Sequence, residues 1–260
     1  MLHALIGRRA AGSPAPTPLR IHSLGQFRLL LGDGDLAPAL ISRRIKGYMW
    51  LCLLARHALQ PGVGFTRGIL ADEAFPGLPA RTQRERLRKR LSELQLSLPP
   101  PLAACIRVEG EFVGIDLSGC EFDLNFVQGV AREVLAVDRE RLPDRLIGAA
   151  ERAVELARGE FLPLWEEVQR RAGGRGGAND IVAAVRNDLA VVQCRLLVAL
   201  GDHYRSQRRH EQAITFLEEA LQRRPDLPLI APKLVRCYRE IGDARRASVL
   251  VEEYGLHEAS

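Results

Sequence analysis

The chain has 260 residues, of which 47% are hydrophobic and 27% charged. That length and composition suffice for two domains with buried cores and exclude a chain that is disordered throughout. The charge is unevenly placed, because residues 1–120 (the front half) hold 16 Lys and Arg against 9 Asp and Glu, whereas residues 121–260 (the back half) hold 21 against 23. A basic front half favours a polyanion as its partner.

The cysteine pattern and the lengths of the apolar runs indicate the cellular compartment in which the protein resides. Five cysteines are scattered without a C-x-x-C pair: Cys52, Cys105, Cys120, Cys194 and Cys237. This spacing argues against a disulfide framework and a zinc site and favours reduced thiols. The first nine residues lack the order of a signal peptide, and no apolar run approaches the roughly 20 residues of a membrane span. We therefore expect a cytoplasmic protein that does not enter a membrane.

The front half begins with a tail and strand structure. Residues 1–18 are rich in Pro and small residues toward their end and predict a flexible tail. Residues 19–31 have the pattern of strands, and Gly32-Asp33-Gly34 predicts a turn. Residues 36–40 predict a short strand at a sheet edge, where Pro38 is tolerated.

Two helices are expected next. Ser42 is a good N-cap for a helix over residues 43–59. Arg43, Arg44 and Lys46 then lie in its first turn, where the helix dipole disfavours cations, so their placement hints at an anionic partner. Thr66 is expected to cap a short second helix with three core residues, Ile69, Leu70 and Phe75.

A third helix is predicted over residues 79–98. Its leucines recur at helical spacing and define one apolar face: Leu87, Leu91, Leu94 and Leu98. The rest of the surface is strongly basic, with six cations between residues 81 and 90 opposed there only by Glu85. Taken alone, such a helix is more often a solvated surface than a nucleic-acid contact.

The order of elements changes that interpretation. Residues 106–108 and 112–115 alternate around Glu109-Gly110, which predicts a β-hairpin. Strands, three helices and a hairpin are the order of a winged helix-turn-helix domain with an N-terminal sheet. In that fold the third helix enters the major groove of DNA and the hairpin is the wing.

The candidate DNA contacts follow from this assignment. With the leucines inward, Arg88 and Lys89 are the best candidates for base edges, because Arg and Lys contacts to guanine are common. Other cations contact phosphate, which positions the protein without reading sequence. The full set of candidates lies on the three helices and the wing: Arg43, Arg44, Lys46, Thr66, Arg81, Arg84, Arg86, Arg88, Lys89, Ser92 and Arg107.

The back half repeats with a period of 34 residues. Leu200 matches Leu234, and Tyr204 matches Tyr238. The repeat fits tetratricopeptide spacing, in which small residues let two helices approach and large ones fill between them. We expect an all-α domain of stacked helix pairs, a form that presents concave surfaces to partners.

No catalytic constellation is visible in the sequence. The six histidines form no H-x-x-x-H or H-E-x-x-H pattern, and neither a phosphate-binding P-loop nor a G-x-S-x-G elbow occurs. We expect no enzyme activity, no cofactor and no metal.

Several of these motifs together resemble the SARP/AfsR-type bacterial transcriptional activators. The likeness extends over residues 19–255 and rests on the order of seven blocks: Ser42-Arg43-Arg44-Ile45-Lys46, the apolar run from Trp50 to Ala55, Ala74-Phe75-Pro76, the run from Leu87 to Leu94, Val108-Glu109-Gly110-Glu111-Phe112, Phe122-Asp123-Leu124-Asn125-Phe126, and the run from Gly159 to Trp165. The resemblance implies an OmpR-like winged helix over residues 19–118 and a bacterial transcriptional activator domain over residues 121–255. It also implies an activator that binds DNA as paired protomers beside RNA polymerase.

Two alternatives stay open. Glu85-Arg86 stands where the family often has Asn-Ser, and the wing carries Val113 and Gly114 where it often has an aromatic and a basic residue. These departures favour a protein-interaction scaffold in which the front half docks proteins instead of DNA. A sensor whose helical domain binds a small effector, such as a nucleotide, is the other alternative.

Overall fold

The computed structural model describes residues 18–138, 141–173 and 177–256; the predicted tail over residues 1–18 lies almost wholly outside them. An α+β front half precedes a helical back half, which confirms the coarse fold class. The strands are β1 Leu19–His22, β2 Arg28–Leu31, β3 Gly34–Asp35, β4 Phe65–Thr66, β5 Ile106–Glu109, β6 Phe112–Ile115 and β7 Cys120–Phe122. The helices are α1 Ala37–Ile41, α2 Ile45–Leu59, α3 Arg67–Ala74, α4 Ala80–Ser97, α5 Pro100–Cys105, α6 Asp123–Leu135, α7 Asp144–Ala157, α8 Trp165–Ala172, α9 Gly177–Ser206, α10 His210–Arg223, α11 Ile230–Glu240 and α12 Ala244–Glu253.

The first sheet has the strand order β3-β2-β1-β7. Strand β1 is antiparallel to β2 and parallel to β7, so the chain returns to its starting strand before it enters α6. Asp123, the first residue of α6, accepts hydrogen bonds from the Ser23 amide at 2.7 Å and the Leu24 amide at 3.0 Å. The end of β1 is therefore fixed to the first helix of the back half.

The second sheet confirms the predicted hairpin and adds a strand to it. Strands β5 and β6 pair antiparallel, with Val108 opposite Val113, and the turn contains Gly110 at φ +57°. Strand β4 pairs with the other edge of β6. A Cβ atom at Gly64, just before β4, would lie 2.4 Å from the Val113 carbonyl oxygen, so the approach requires glycine.

The 34-residue period takes the form of two helical hairpins, α9 with α10 and α11 with α12. The turns contain Arg208 at φ +60° and Gly242 at φ +80°, which are equivalent positions of the repeat. Tyr204 donates its hydroxyl hydrogen to Glu151 of α7, and Tyr238 donates to Glu218 of α10. Each tyrosine thus ties its helix to an earlier one, as stacked helix pairs require.

Helix α2 lies at the centre of the molecule. Every side chain from Tyr48 to Ala55 is buried, which is the expected position for a helix that is apolar on all faces. In the front half α2 packs on β6 and on α1, α3 and α4, and in the back half it packs on α8 and α9. The Tyr48 ring lies against Trp165 of α8, with centroids 5.3 Å apart.

A buried carboxylate also joins the two halves. Glu73 of α3 accepts a hydrogen bond from the Tyr48 hydroxyl and, on its other oxygen, one from the Ala178 amide at 3.0 Å. Ala178 lies in the first turn of α9, whose free amides favour a negative partner. Because the halves share one continuous core, the predicted domain boundary near residues 118–121 stays a prediction.

Three local predictions are wrong. Residues 37–41 form helix α1 instead of a strand. Proline is tolerated in the first turn of a helix, because the amide hydrogens there have no hydrogen-bond partner within the helix. In addition, the Asp35 carboxylate accepts a hydrogen bond from the Ala37 amide at 3.0 Å. Ser42 ends α1, with its hydroxyl on the Ala39 carbonyl, and does not cap α2. Ile69 is 59% exposed, since α3 turns Leu70 and Ala71 inward instead.

Candidate nucleic-acid interface

Helix α4 is anchored by its leucine face. Leu87, Leu91 and Leu94 are buried, and Leu98, which follows the helix, is buried with them. Gln83 is also buried, and its amide donates to the Asp72 carboxylate at 2.9 Å and to the Phe75 carbonyl at 3.1 Å. The start of α4 is thus fixed to the end of α3, by a polar residue that the apolar spacing did not reveal.

The opposite face of α4 is exposed and cationic. Arg81 pairs with Glu85 at 3.2 Å across one helical turn, but both side chains are largely exposed, so the pair contributes little. Within the described residues the other exposed cations of the helix have no ion pair or hydrogen bond: Arg84, Arg86, Arg88 and Lys89. Ser92 is exposed on the same surface. These charges remain available to an external anion.

One flank of α4 is occupied by internal ion pairs. Glu93 accepts from Arg90 at 2.7 Å and from Lys46 of α2 at 3.2 Å. These two cations, Arg90 first, lower the pKa of the Glu93 carboxyl. The ion pair with Glu93 links Lys46 of α2 to α4. Because Lys46 is also half-buried, it is less available to a phosphate than the sequence suggested.

Arg43 and Arg44 precede α2 instead of lying in its first turn, because that helix begins at Ile45. The Arg43 Nε atom donates to the Ala39 carbonyl at 3.2 Å. Arg44 is exposed, and its side chain has no bonded partner among the described residues. Its backbone has φ +47°, a conformation that costs non-glycine residues about 1–3 kcal/mol and is more frequent at functional sites.

A cleft of about 320 Å³ lies where α4, the start of α3 and the wing turn meet. It is lined by Arg67, Arg84 and Arg88 together with Glu85 and Glu111. The Arg67 Nε atom is buried and has no hydrogen-bond partner among the described residues. Arg67 was not a candidate from the sequence, although it directly follows the predicted cap Thr66.

Thr66 does cap α3, as predicted, since its hydroxyl oxygen accepts from the Ile69 amide at 3.3 Å. The Arg67 amide donates to the Glu111 carbonyl at 2.7 Å and so joins α3 to the wing turn. Thr66 and Arg67 therefore hold the wing beside the cationic helix.

Arg107 lies at the base of the wing. It pairs with Asp116 at 3.0 Å. Hydrogen bonds from Ser118, and then Arg107, lower the pKa of Asp116 to about 2. The wing turn itself carries Glu109 and Glu111, so the interface predicted here is cationic on α4 and acidic at the tip of the wing.

A scan against protein-family models gives no match, and a search of curated proteins gives none either. The resemblance to the SARP/AfsR-type activators therefore stays a prediction that rests on the seven sequence blocks. Within residues 18–138, 141–173 and 177–256, no group of three His, Cys, Asp or Glu side chains is arranged to hold a metal ion, and no helix has both the length and the apolar composition of a membrane span.

Proposed function

We propose that this protein is a cytoplasmic, non-enzymatic transcription regulator of the SARP/AfsR type that binds duplex DNA. In this proposal the front half is an OmpR-like winged helix and α4 is its recognition helix. The tetratricopeptide-like back half contacts a second protomer, RNA polymerase or a small effector. The observation that carries the proposal is the face of α4 with four cations that no group of the described chain neutralises.

The geometry of α4 supports contact with a groove. Successive residues turn by 100°, so Arg81, Arg88, Lys89 and Ser92 lie opposite or beside the leucine face, on the surface that points away from the core. We assign Arg88 and Lys89 to base edges, and Arg84, Arg86 and the exposed Arg44 to phosphates. Arg67 is added as a phosphate contact on the wing side of the helix.

A matched pair of double variants tests this proposal. Arg88→Ala with Lys89→Ala is expected to weaken duplex binding roughly 100-fold, because each good contact is worth about 1–3 kcal/mol. The control is Arg170→Ala with Arg245→Ala, which removes the same charge from two exposed back-half positions and is expected to change affinity less than about threefold. Fluorescence anisotropy of a labelled duplex at low salt measures both.

Either of two results would contradict the proposal. The wild-type chain would fail to bind any duplex at low salt, or both double variants would weaken binding equally. Equal weakening would mean that net charge, and not the face of α4, attracts DNA.

A docking role for proteins has two specific observations in its favour. Phe112 at the start of β6 is 59% exposed, and Glu85 interrupts the cationic face. If the front half docks a protein, Phe112→Ser should abolish capture of that partner, whereas Arg88→Ala with Lys89→Ala should leave it intact.

A further inference from the structure

Two cysteines that are distant in sequence lie side by side in the front half. The Cys105 and Cys120 sulfur atoms are 3.7 Å apart. Cys105 ends α5 just before the first wing strand, and Cys120 begins β7 of the other sheet. The pair therefore sits where the wing meets the sheet that leads into the back half.

Backbone hydrogen bonds hold both thiols in place. The Cys105 carbonyl accepts from the Asp116 amide at 2.7 Å, and the Cys120 amide donates to the Leu117 carbonyl at 2.9 Å. Leu19 of β1 is the register partner of Cys120. Since both residues belong to paired backbone, the short distance between the sulfurs does not depend on a free loop.

The two thiols differ in access and acidity. Cys105 is buried, whereas Cys120 is half-buried and lines an open groove of about 570 Å³ between the first sheet and α6 and α7. The hydrogen bond between the sulfurs, with burial, raises the pKa of the Cys105 thiol, and the same hydrogen bond lowers the pKa of the Cys120 thiol. A small oxidant thus reaches the more acidic of the two first, and acidity favours the reactive thiolate.

We propose that Cys105 and Cys120 are a redox-reactive pair that a peroxide converts into a reversible intramolecular disulfide. The Cys120 thiolate attacks one peroxide oxygen and forms a sulfenic acid, while the other oxygen leaves and takes a proton to become water. The Cys105 sulfur then attacks the Cys120 sulfur, and the sulfenic oxygen leaves as a second water with the Cys105 proton. Two thiols lose two electrons and two protons, and one hydrogen peroxide becomes two waters.

The other cysteines serve as internal references. Cys52, Cys194 and Cys237 are each no more than 1% exposed. Burial raises the pKa of all three thiols, most strongly that of Cys52. They are expected to stay reduced while the pair is oxidised. The proposal does not rest on DNA binding.

Peptide mapping tests the pairing directly. The full chain is treated with hydrogen peroxide, blocked with an alkylating agent and digested with trypsin without reduction. Cleavage after Arg107 separates the two cysteines, so the disulfide links the peptides of residues 91–107 and 108–132. The unfolded protein should lose two of its five free thiols, and a dithiol reductant should restore them.

Two variants keep the test decisive. Cys120→Ser should lose no thiol under the same treatment. Cys105→Ser should accumulate a sulfenic acid at Cys120 that a cyclic diketone traps. The proposal is overturned if the wild-type chain keeps five thiols at peroxide levels that oxidise a reference dithiol, or if Cys120 pairs with any other cysteine.

Discussion

Helices α2 and α4 belong to the same front half, yet they have opposite surroundings. Helix α2 is uncharged and buried on every side from Tyr48 to Ala55, and it packs against β6 of the front half and against α8 and α9 of the back half. Helix α4 buries only its leucine face and exposes cations on the other. Helix α2 therefore holds the molecule together, whereas α4 has a face that no other part of the described chain covers.

The cations of the two halves differ in the same way. In the back half, Arg158 bridges Glu155 and Glu219, and Arg186 bridges Glu160 and Glu166. Such pairs neutralise positive charge within the chain. Helix α4 instead leaves Arg84, Arg86, Arg88 and Lys89 without an ionic partner in the described part of the chain, so the charge of the front half is directed outward.

Leucine truncation on each helix gives the largest expected contrast. Leu54 of α2 is fully buried, whereas Leu96 of α4 is 85% exposed. Leu54→Ala is expected to lower the free energy of unfolding by about 2–5 kcal/mol, because it removes buried contacts and leaves a cavity. Leu96→Ala is expected to change it by less than about 0.5 kcal/mol. Urea unfolding monitored by circular dichroism measures both, and similar costs would show that α2 is not the central element.

Two glutamates give the next contrast. Glu73→Ala leaves the Tyr48 hydroxyl and the Ala178 amide unpaired in the core and is expected to cost about 1–3 kcal/mol. Glu85→Ala removes only an exposed pair with Arg81 and is expected to cost less than about 1 kcal/mol. The same unfolding experiment applies. A Glu73→Ala variant as stable as wild type would mean that this carboxylate does not join the halves.

Two histidines give the smallest expected effect. The His57 Nδ1 atom faces the Ile115 carbonyl at 3.2 Å and therefore donates, whereas the His203 Nδ1 atom accepts from the Leu142 amide at 3.3 Å. Burial is the main cause that lowers the pKa of both imidazoles below the ordinary 6.5. Protonation keeps the hydrogen bond of His57 but breaks that of His203.

The sign of the pH effect follows from these lowered pKa values. Below pH 6.5 the unfolded chain binds more protons than the folded one, so stability is complete above that pH and declines as the pH falls below it. His203→Asn keeps an acceptor that does not titrate and should reduce the decline. Urea midpoints at pH 7 and pH 5 measure it, and an unchanged decline in the variant would exclude His203 as a cause.

Features set by local pattern could be predicted from the sequence. The leucine face of α4, the hairpin turn at Gly110 and the Thr66 cap each depend on residues close to one another in the chain, and the 34-residue repeat is one local pattern that occurs twice. Even so, a local pattern predicts wrongly where one residue can serve either of two neighbouring helices. Ser42 is a good N-cap, but α1 forms immediately before it, and the serine closes that helix instead.

Features set by distant partners could not be predicted. Glu73 is buried because the Ala178 amide, 105 residues later, meets it. Gln83 and Arg67 acquire their roles only when α3, α4 and the wing come together. The burial of the run from Tyr48 to Ala55 on every side could have been predicted, because a helix that buries only one face does not need eight consecutive uncharged residues.

The salt dependence of duplex binding tests the central claim most directly. If Arg84 and Arg86 of α4 contact phosphates together with Arg44 and Arg67, the logarithm of the binding constant should fall linearly with the logarithm of salt concentration. The slope should be roughly −3 to −4 for these four neutralised phosphates. Arg84→Ala with Arg86→Ala, which removes the two α4 cations assigned to phosphates, should flatten the slope by about 1–2. Anisotropy titrations between about 50 and 200 mM salt measure both slopes. A wild-type chain that does not bind, or a variant with an unchanged slope and affinity, would contradict the account.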